Sequence, residues 1–280
     1  MKGFFAHLWL TLKLNFRNPQ AVVFGYVVPV FFLLAFVAFF GQGRKDPLSH
    51  STSTEFGQLL TITILGGACF GMPVAFVSER ERGVWRRYRL TPAPTVTFIF
   101  SILIARYVLV LSAGLMQLGL AIWVGMKFPV HPWQLLLAFT VASFAFLGIG
   151  LLISMIANST HAVQALGQSL FLPMIMIGGV GVPLRILPEW AKVVAAFLPG
   201  RYAVQAMDRC VIATPVPPRL YGSFNLVALL VIGAAASFAA AKLFRWENDQ
   251  KLPKSGLAWA LLSVASWAVI GVVARHYKLV

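Results

Sequence analysis

Runs of mainly apolar residues, each close to the length of a membrane helix, alternate with short polar segments along this chain. A helix needs about 20 apolar residues to cross a hydrocarbon core about 30 Å thick. Seven runs fit this length, at residues 21–40, 57–77, 98–124, 133–156, 163–182, 224–244 and 257–274. The pattern therefore predicts an all-α, polytopic membrane protein with six core transmembrane helices and an additional seventh helix.

The composition excludes an ordinary soluble domain. The chain of 280 residues is 59% hydrophobic and 11% charged, whereas globular proteins are about 25% charged. Its formal net charge of +15 could indicate nucleic-acid binding, but that function needs a continuous basic face. Lys and Arg instead lie in short pieces between the apolar runs, which is typical of loops that determine topology. We therefore expect no nucleic-acid partner.

Residues 1–18 predict an amphipathic helix that lies on the membrane surface and precedes the first span. Its apolar stripe consists of Phe4, Leu8, Leu12 and Phe16, with Phe5 and Trp9 beside it, and Lys2, Lys13 and Arg17 next to it. Leu10 and Leu14 fall off this stripe. The alternative is an extended first span, although Asn18 and Pro19 separate the two segments. No removable signal peptide is expected, because no small-residue cleavage site follows a short apolar core.

The distribution of bases predicts that the N-terminus lies in the cytoplasm, because an excess of Lys and Arg marks inner loops. The inner segments then hold Lys2, Lys13, Arg17, the five Arg between residues 78 and 94, Lys242, Arg245, Lys251 and Lys254. The short outer loops hold Arg44, Lys45 and Lys127. The chain divides into an interfacial helix at 1–18, a transmembrane domain at 21–244, and a cytoplasmic link with an extra helix at 245–280.

The segment PLRILPEWAKVVAAFL, at residues 183–198, is amphipathic but too short and too polar to span a membrane. It follows the flexible run GGVG at residues 178–181. We expect a re-entrant or interfacial helix pair on the outer face, where protein covers the irregular backbone. A plain outer loop is the alternative.

Ionisable side chains are almost absent from the predicted spans. All eight carboxylates lie between the spans, whereas proton-coupled carriers usually place an acid or a His inside the membrane. The sequence has no metal-ligand cluster, nucleophile motif or phosphate-binding loop, so no metal site and no enzymatic activity are expected in this chain. Arg106 lies inside a span. We expect it to anchor at lipid phosphates or to make an inter-helix hydrogen bond rather than to bind substrate.

The stretch SERERGVWRRYRLTPAP, at residues 78–94, gathers two Glu and five Arg in a chain that is otherwise poor in charge. The Glu residues come first and the Arg residues later, which is the order that a helix dipole favours. Val84, Trp85 and Tyr88 form an apolar ridge, and Pro92 and Pro94 end the helix. Because exposed aromatic and Arg side chains are typical interface anchors, we expect a docking surface. The alternative is a solvated charge run whose aromatic rings rest on lipid headgroups.

Two stretches carry a resemblance to a known family. FVSERERGVWRRYRLTPAP, after the second span, resembles the signature of ABC-2 type exporter permeases, in which an E-R-E-x-G segment and a T-P turn precede the third span. LPMIMIGGVGVPLRILPEWAKVVAAFLPGRYAVQAM, at residues 172–207, is similar to the fifth span, outer re-entrant helices and P-x-x-Y close of that family. The resemblance covers the chain to about residue 244. The seventh helix departs from the six spans typical of the family.

The resemblance implies the transmembrane subunit of an ATP-driven exporter, in which a homodimer of permeases pairs with two cytoplasmic ATPase subunits. The ATPase subunits, rather than this chain, would bind ATP and Mg. The substrate would be amphipathic or lipid-linked, and the complex would lie among the lipids of a bacterial inner (plasma) membrane. An ion-coupled secondary transporter and a polytopic lipid-modifying enzyme are the alternatives from other classes.

The resemblance also implies functional residues, together with a connecting helix at 1–18. The coupling helix that the ATPase moves would contain Glu79, Arg80, Glu81, Arg82, Gly83, Val84, Trp85 and Tyr88. The outer gate would contain Pro183, Leu187, Pro188, Trp190 and Pro199. The pathway or dimer interface, along the first and fifth spans, would contain Val22, Tyr26, Phe171 and Met174.

Overall fold

The computed structural model describes residues 2–40, 55–90, 94–211, 220–246 and 255–277, and these residues are mostly helical. Five helices in these ranges are long and apolar enough to cross a membrane: Phe56–Glu81, Thr95–Trp123, Pro132–Ile156, Ser223–Lys242 and Ala258–His276. The prediction of an all-α polytopic membrane protein is confirmed. The predicted loop or turn residues Arg44, Lys45, Pro92, Lys251 and Lys254 lie outside the described residues.

The helices follow one another with few other elements. In chain order they are α1 Lys2–Arg17, α2 Pro19–Val22, α3 Val28–Phe40, α4 Phe56–Gly66, α5 Met72–Glu81, α6 Val84–Arg89, α7 Thr95–Trp123, α8 Pro132–Ile156, α9 Thr160–Met176, α10 Glu189–Ala195, α11 Pro199–Val211, α12 Leu220–Lys242 and α13 Gly256–His276. Two π-helical turns, Val23–Val27 and Gly67–Gly71, join α2 to α3 and α4 to α5. The two turns pack against each other. Turns of this kind are rare and often occur at functional sites.

The continuous helix Phe56–Glu81, which we call the central span, is enclosed by the other helices. All of its residues from 56 to 73 are buried. An added Cβ at Gly150 would lie 2.2 Å from the carbonyl oxygen of Ala68, and one at Gly167 would lie 2.6 Å from that of Cys69. Small residues let membrane helices approach closely. α8 and α9 therefore pack directly against the backbone of the second π-helical turn.

The predicted spans 21–40 and 163–182 are interrupted or shorter in the structure. A π-helical turn separates α2 from α3, and α9 ends at Met176 rather than at residue 182. Pro173 lies inside the last part of α9 and removes one helical hydrogen bond. Gly179 then adopts a left-handed conformation with φ of 76°. These two residues turn the chain before α9 reaches its predicted length.

The segment for which a helix pair or a plain loop was expected forms helices. Residues 183–198 contain the 3-10 turn Leu184–Ile186 and α10, and α11 follows them from Pro199. Arg201 Nη1 donates to the Lys192 carbonyl oxygen at 2.9 Å, and the Tyr202 hydroxyl donates to that of Ala196. These bonds hold α11 against α10 in a pair that we call the outer hairpin. The end of α11 meets the start of α8, where the backbone N–H of His131 donates to the Cys210 carbonyl oxygen at 3.0 Å.

The additional seventh helix, predicted at residues 257–274, is present as α13. It packs against α12, where the rings of Phe238 and Trp259 meet edge to face with centroids 5.5 Å apart. An added Cβ at Gly271 would lie 2.4 Å from the Phe197 ring. α13 therefore contacts the outer hairpin as well as α12.

Candidate functional site

The charged stretch of the sequence forms a sharp corner between α5 and α6. α5 ends at Glu81, and α6 begins at Val84. Gly83 between them has φ of 70°, a left-handed conformation that costs residues with a Cβ about 1–2 kcal/mol. The predicted single coupling helix is therefore two helices, and we call their junction the α5–α6 corner.

Trp85 lies inside an aromatic cluster rather than on the surface. Its side chain is 0% exposed. The ring centroids of Phe76, Tyr88 and Phe244 lie 4.3, 5.8 and 5.8 Å from its own. The prediction that Trp85 is exposed is wrong, because the corner folds the apolar ridge of α6 back onto α5 and onto the segment after α12. Tyr88 is half-buried.

The exposed part of the corner is charged. The exposed side chains are Glu81, Arg82, Arg86, Arg87 and Arg89, whereas Glu79 and Val84 are half-buried. A cluster of this kind produces a positive potential that attracts acidic surfaces. Arg residues, rather than the predicted aromatic ones, thus form most of the exposed surface of the corner.

Two buried arginines hold the end of α8. Arg80 Nη2 donates to the carbonyl oxygen of Ala157. Arg245 Nη2 donates to the carbonyl oxygen of Met155 at 2.8 Å and to Asn158 Oδ1 at 2.9 Å. The last carbonyl groups of a helix lack intrahelical partners and favour cations. Burial lowers the pKa of Arg245. The sequence pattern marks Arg245 only as a loop base and does not indicate this role.

Glu81 connects the corner to α9. Its Oε1 accepts a hydrogen bond from the backbone N–H of Thr160, the first residue of α9, at 3.1 Å. Ser159 caps the same helix by accepting from the N–H of Ala162 at 3.1 Å. Carboxylates stabilise helix N-termini because the N–H groups there are unpaired and the dipole is positive. The corner is therefore bonded to α9 as well as continuous with the central span.

Arg106 is buried among the helices and does not face lipid. Its side chain is 1% exposed, and its Nη2 donates to the carbonyl oxygen of Gly71 at 2.8 Å. The predicted inter-helix hydrogen bond is confirmed, and the predicted lipid anchor is wrong. Glu79 lies near enough to attract Arg106 electrostatically. Glu79, which we expected on the coupling surface, is half-buried.

α1 contacts the corner and α7 through a residue that the apolar pattern does not mark. His7 Nδ1 shares a hydrogen bond with Ser101 Oγ at 2.5 Å. The His7 ring packs edge to face on Tyr88 and Phe98, with centroids 5.1 and 4.9 Å apart. Burial lowers the pKa of His7. His7 therefore joins α1 to the start of α7 and to α6.

One apolar face of α1 points away from the protein. Its exposed apolar residues are Phe5, Trp9, Leu10, Leu14 and Phe16. Its most buried positions on the opposite face are polar, at Thr11 and Asn15, while Phe4, Leu8 and Leu12 are half-buried. Leu10 and Leu14, which fall off the predicted stripe, thus belong to the exposed apolar face. Such a face is suited to a lipid surface.

At the opposite end of the central span, two acids attach the outer hairpin and the turn before it. Asp208 Oδ1 accepts from the backbone N–H of Gly57 at 2.8 Å. Glu55 pairs with Arg185. Burial raises the pKa of Glu55, and Arg185 opposes this shift. Asp208 therefore acts as an N-terminal cap of α4 that comes from a distant part of the chain.

The residues predicted for the outer gate lie in the outer hairpin and the turn before it. Pro183 and Pro199 are buried, Leu187 is half-buried, and Pro188 and Trp190 are exposed. Pro199 is the first residue of α11, a position where its missing N–H breaks no helical bond. The turn and hairpin bring these five residues into one region.

Of the four residues predicted for the pathway or dimer interface, three are half-buried and one is fully buried. Val22 and Phe171 are half-buried. The Tyr26 hydroxyl shares a hydrogen bond with Ser112 Oγ at 2.6 Å within the same chain. Met174 is fully buried, so we correct its expected position from the interface to the interior of the protomer.

Another face of α9 is exposed, at residues spaced four apart. Its members include Gln164, Gln168, Leu172 and Met176. Amide side chains in membrane helices commonly form hydrogen bonds across helices, because hydrocarbon offers them no partner. This face is therefore expected to meet water or a second protein surface rather than lipid.

Residues 2–210 match the family model of the ABC-2 type transporter, which is most of the chain. The chain belongs to the ABC-2 type transporter family. It is a multi-pass membrane protein and a transmembrane permease of an ABC transporter, and such permeases work with a partner ATPase. This membership replaces the ion-coupled carrier and the lipid-modifying enzyme as interpretations. No curated protein matches the chain. α12 and α13 lie beyond the matched residues.

Proposed function

We propose that this ABC-2 permease is the membrane half of an exporter that moves an amphipathic or lipid-linked substrate outward across a bacterial inner membrane. Two copies of the chain pair with two cytoplasmic ATPase subunits, which bind ATP and Mg. The ATPase contacts the α5–α6 corner and displaces it during each cycle. The apolar bundle and the absence of a nucleotide-binding motif from the sequence support this division of labour.

The observation that carries the proposal is the bonding of the α5–α6 corner to two spans at once. The corner continues the central span, and Glu81 accepts from the Thr160 N–H at the start of α9. Arg82, Arg86, Arg87 and Arg89 are exposed beside it. A force on this basic surface therefore reaches α9 without passing through a flexible linker.

The second copy contacts the exposed face of α9, and the substrate passes between the copies. The amides of Gln164 and Gln168 support this proposal, because a partner surface or a hydrated pathway would satisfy them. On the first span, Val23, Val27 and Phe31 are exposed at a spacing of four. These exposed residues replace Met174 as the proposed neighbours of the pathway.

The outer hairpin closes the pathway on the outer side, and its bonds to the central span supply the connection to the corner. Asp208 holds the hairpin at Gly57, while Glu55 holds the preceding turn at Arg185. Displacement of the central span along its axis would strain both the hydrogen bond of Asp208 and the ion pair of Glu55. The gate therefore opens when the corner moves, and it closes when the corner returns.

Replacing Glu81 with Lys tests the coupling. The variant should insert normally but lose most substrate-dependent ATP hydrolysis by the complex, because a cation at a helix N-terminus is repelled by the dipole. Glu81→Gln, which keeps an acceptor oxygen, should retain more activity. Lys127→Glu, an exposed charge reversal between α7 and α8, is the control. Unchanged export and unchanged co-purification of the ATPase with Glu81→Lys would refute the coupling role.

Cross-linking tests the arrangement of the two copies. Cys at Leu172 or Met176 on the exposed face of α9 should give disulfide-linked dimers in the membrane. Cys at Val269, exposed on α13, should not. Dimers through Val269 alone, with export intact, would place the second copy elsewhere.

A further inference from the structure

A groove on the side of the bundle lies between α7 and α12, with α8 as its floor. Its volume is about 590 Å³, within the roughly 300–1,000 Å³ typical of ligand sites. Leu103 and Ile104 form one wall, Phe238 forms the other, and Leu147 and Leu151 form the floor. The lining side chains are almost entirely apolar.

The groove extends along α7 from Val96 to Tyr107, which corresponds to about 17 Å at a rise of about 1.5 Å per residue. One leaflet contributes about 15 Å to a hydrocarbon core about 30 Å thick. At its deep end the Tyr107 hydroxyl and Thr140 Oγ1 share a hydrogen bond of 2.8 Å. The length and the apolar lining therefore match one extended acyl chain of a single leaflet.

A cation lies beside the end of the groove that is nearest to the end of α12, which we call its mouth. Lys242 does not line the groove but is exposed at the end of α12. Its Nζ lies 5.4 Å from the centroid of the Phe238 ring that forms one wall and 6.0 Å from that of Trp259 on α13. By the predicted orientation, this end faces the cytoplasm. Lys side chains at the cytoplasmic surface attract anionic lipid headgroups. The mouth thus complements a phosphate, while the groove complements the acyl chain below it.

We propose that the groove binds an anionic phospholipid of the inner leaflet, with one acyl chain between α7 and α12 and its phosphate at Lys242. The bound lipid contacts Phe244 near the mouth, and Phe244 packs on Trp85 with ring centroids 5.8 Å apart. The lipid therefore packs against the aromatic cluster of the α5–α6 corner and stabilises it. This site is separate from the exposed face of α9.

The test uses the full chain in nanodiscs that contain phosphatidylglycerol carrying a photoreactive diazirine on one acyl chain. After illumination, the label should concentrate on groove residues of α7 and α12. Leu103→Trp fills the groove and should remove this label, whereas Val108→Trp, on an exposed position of α7 outside the groove, should not. Lys242→Gln should weaken competition by unlabelled phosphatidylglycerol about fivefold, and Arg275→Gln, an exposed base on α13, should leave it unchanged.

Gel filtration of each variant in detergent establishes that it is folded before labelling. Equal labelling of all exposed helix faces would overturn the proposal, as would undiminished groove label in folded Leu103→Trp. Equal labelling by a phosphatidylcholine probe would overturn the anionic preference and with it the role of Lys242. An unlabelled groove together with disulfide-linked dimers of Phe100→Cys would show that a second copy covers the groove, which also overturns the lipid site.

Discussion

The two ends of the central span are attached to their neighbours in different ways. At the inner end, by the predicted orientation, Arg80 reaches the carbonyl end of α8 and Glu81 reaches the start of α9. At the outer end, Asp208 reaches the N–H of Gly57 from the outer hairpin. Arg80 therefore meets the end of a helix, whereas Glu81 and Asp208 each meet the beginning of one. The sign of each charge thus follows the helix terminus that it contacts.

The two ends also differ in the kind of contact that their flanking side chains make. The inner end contains Trp85, which is enclosed by aromatic rings, whereas Arg185 of the outer ion pair is about half exposed. Apolar burial contributes more stability than an exposed ion pair. We therefore expect the aromatic cluster around Trp85 to contribute more to stability than the ion pair of Glu55 and Arg185.

The largest effect is expected for Trp85→Ala. Removing a fully buried Trp costs about 3–5 kcal/mol, and the free energy of unfolding in detergent micelles should fall accordingly. Trp190→Ala is the matched control, because Trp190 is 63% exposed and should change the free energy of unfolding by less than about 0.5 kcal/mol. Equal effects of the two variants would remove the distinction between the ends.

A smaller loss is expected for Gly150→Ala, in the middle of the structure. The new Cβ would lie 2.2 Å from the Ala68 carbonyl oxygen, so the backbone of α8 or of the central span must shift at a cost of about 1–3 kcal/mol. Gly119→Ala on α7 meets nothing within 4 Å and should be neutral or stabilise by up to about 1 kcal/mol. Denaturant titration of both variants in one detergent measures the difference.

At the outer end, Asp208→Ala should destabilise the protein by about 1 kcal/mol, the typical value of a helix cap. Asp208→Asn keeps an oxygen that can accept from the Gly57 N–H, so it should lose less. Hydrogen exchange at the start of α4 provides a local measurement, since exchange should increase in the Ala variant first. Identical exchange in the wild type and both variants would show that Asp208 does not stabilise this end.

The smallest effect is expected for Arg185→Gln, which removes the base from Glu55. Exposed ion pairs contribute about 0–1 kcal/mol. Arg185 also opposes the rise of the Glu55 pKa that burial causes, so the pKa of Glu55 should rise further in the variant. Titration of Glu55 by NMR with a labelled Glu side chain measures this shift. A fall in that pKa would contradict the proposed contact.

Most elements of the fold can be predicted from local patterns. The lengths of the apolar runs predict α7, α8, α12 and α13 closely, because a membrane helix needs a minimum apolar length wherever it packs. α9 is shorter than predicted because its apolar run continues past Pro173 and Gly179, where the backbone turns. Hydropathy is a property of side chains, so it does not predict a turn that depends on the backbone conformation.

The candidate site is predicted less completely. The charges of the α5–α6 corner stand out in the sequence, and two Pro and a Gly run mark the outer hairpin. His7 and Arg245 carry no such signal, because each is a single ordinary residue whose role depends on partners far away in the chain. Ser101 and Met155 supply those partners.

The sequence by itself determines that this chain crosses a membrane by helices, that its charge gathers at one corner, and that it resembles ABC-2 permeases. These properties depend on composition and on residues close together in the chain. Only the tertiary structure decides that Trp85 is buried, that Arg106 bonds to Gly71, and that Asp208 caps α4. Burial and capping depend on which helix lies opposite, and in a membrane lipid and protein offer an apolar side chain similar surroundings. An apolar pattern therefore cannot distinguish a side that faces lipid from one that faces another helix.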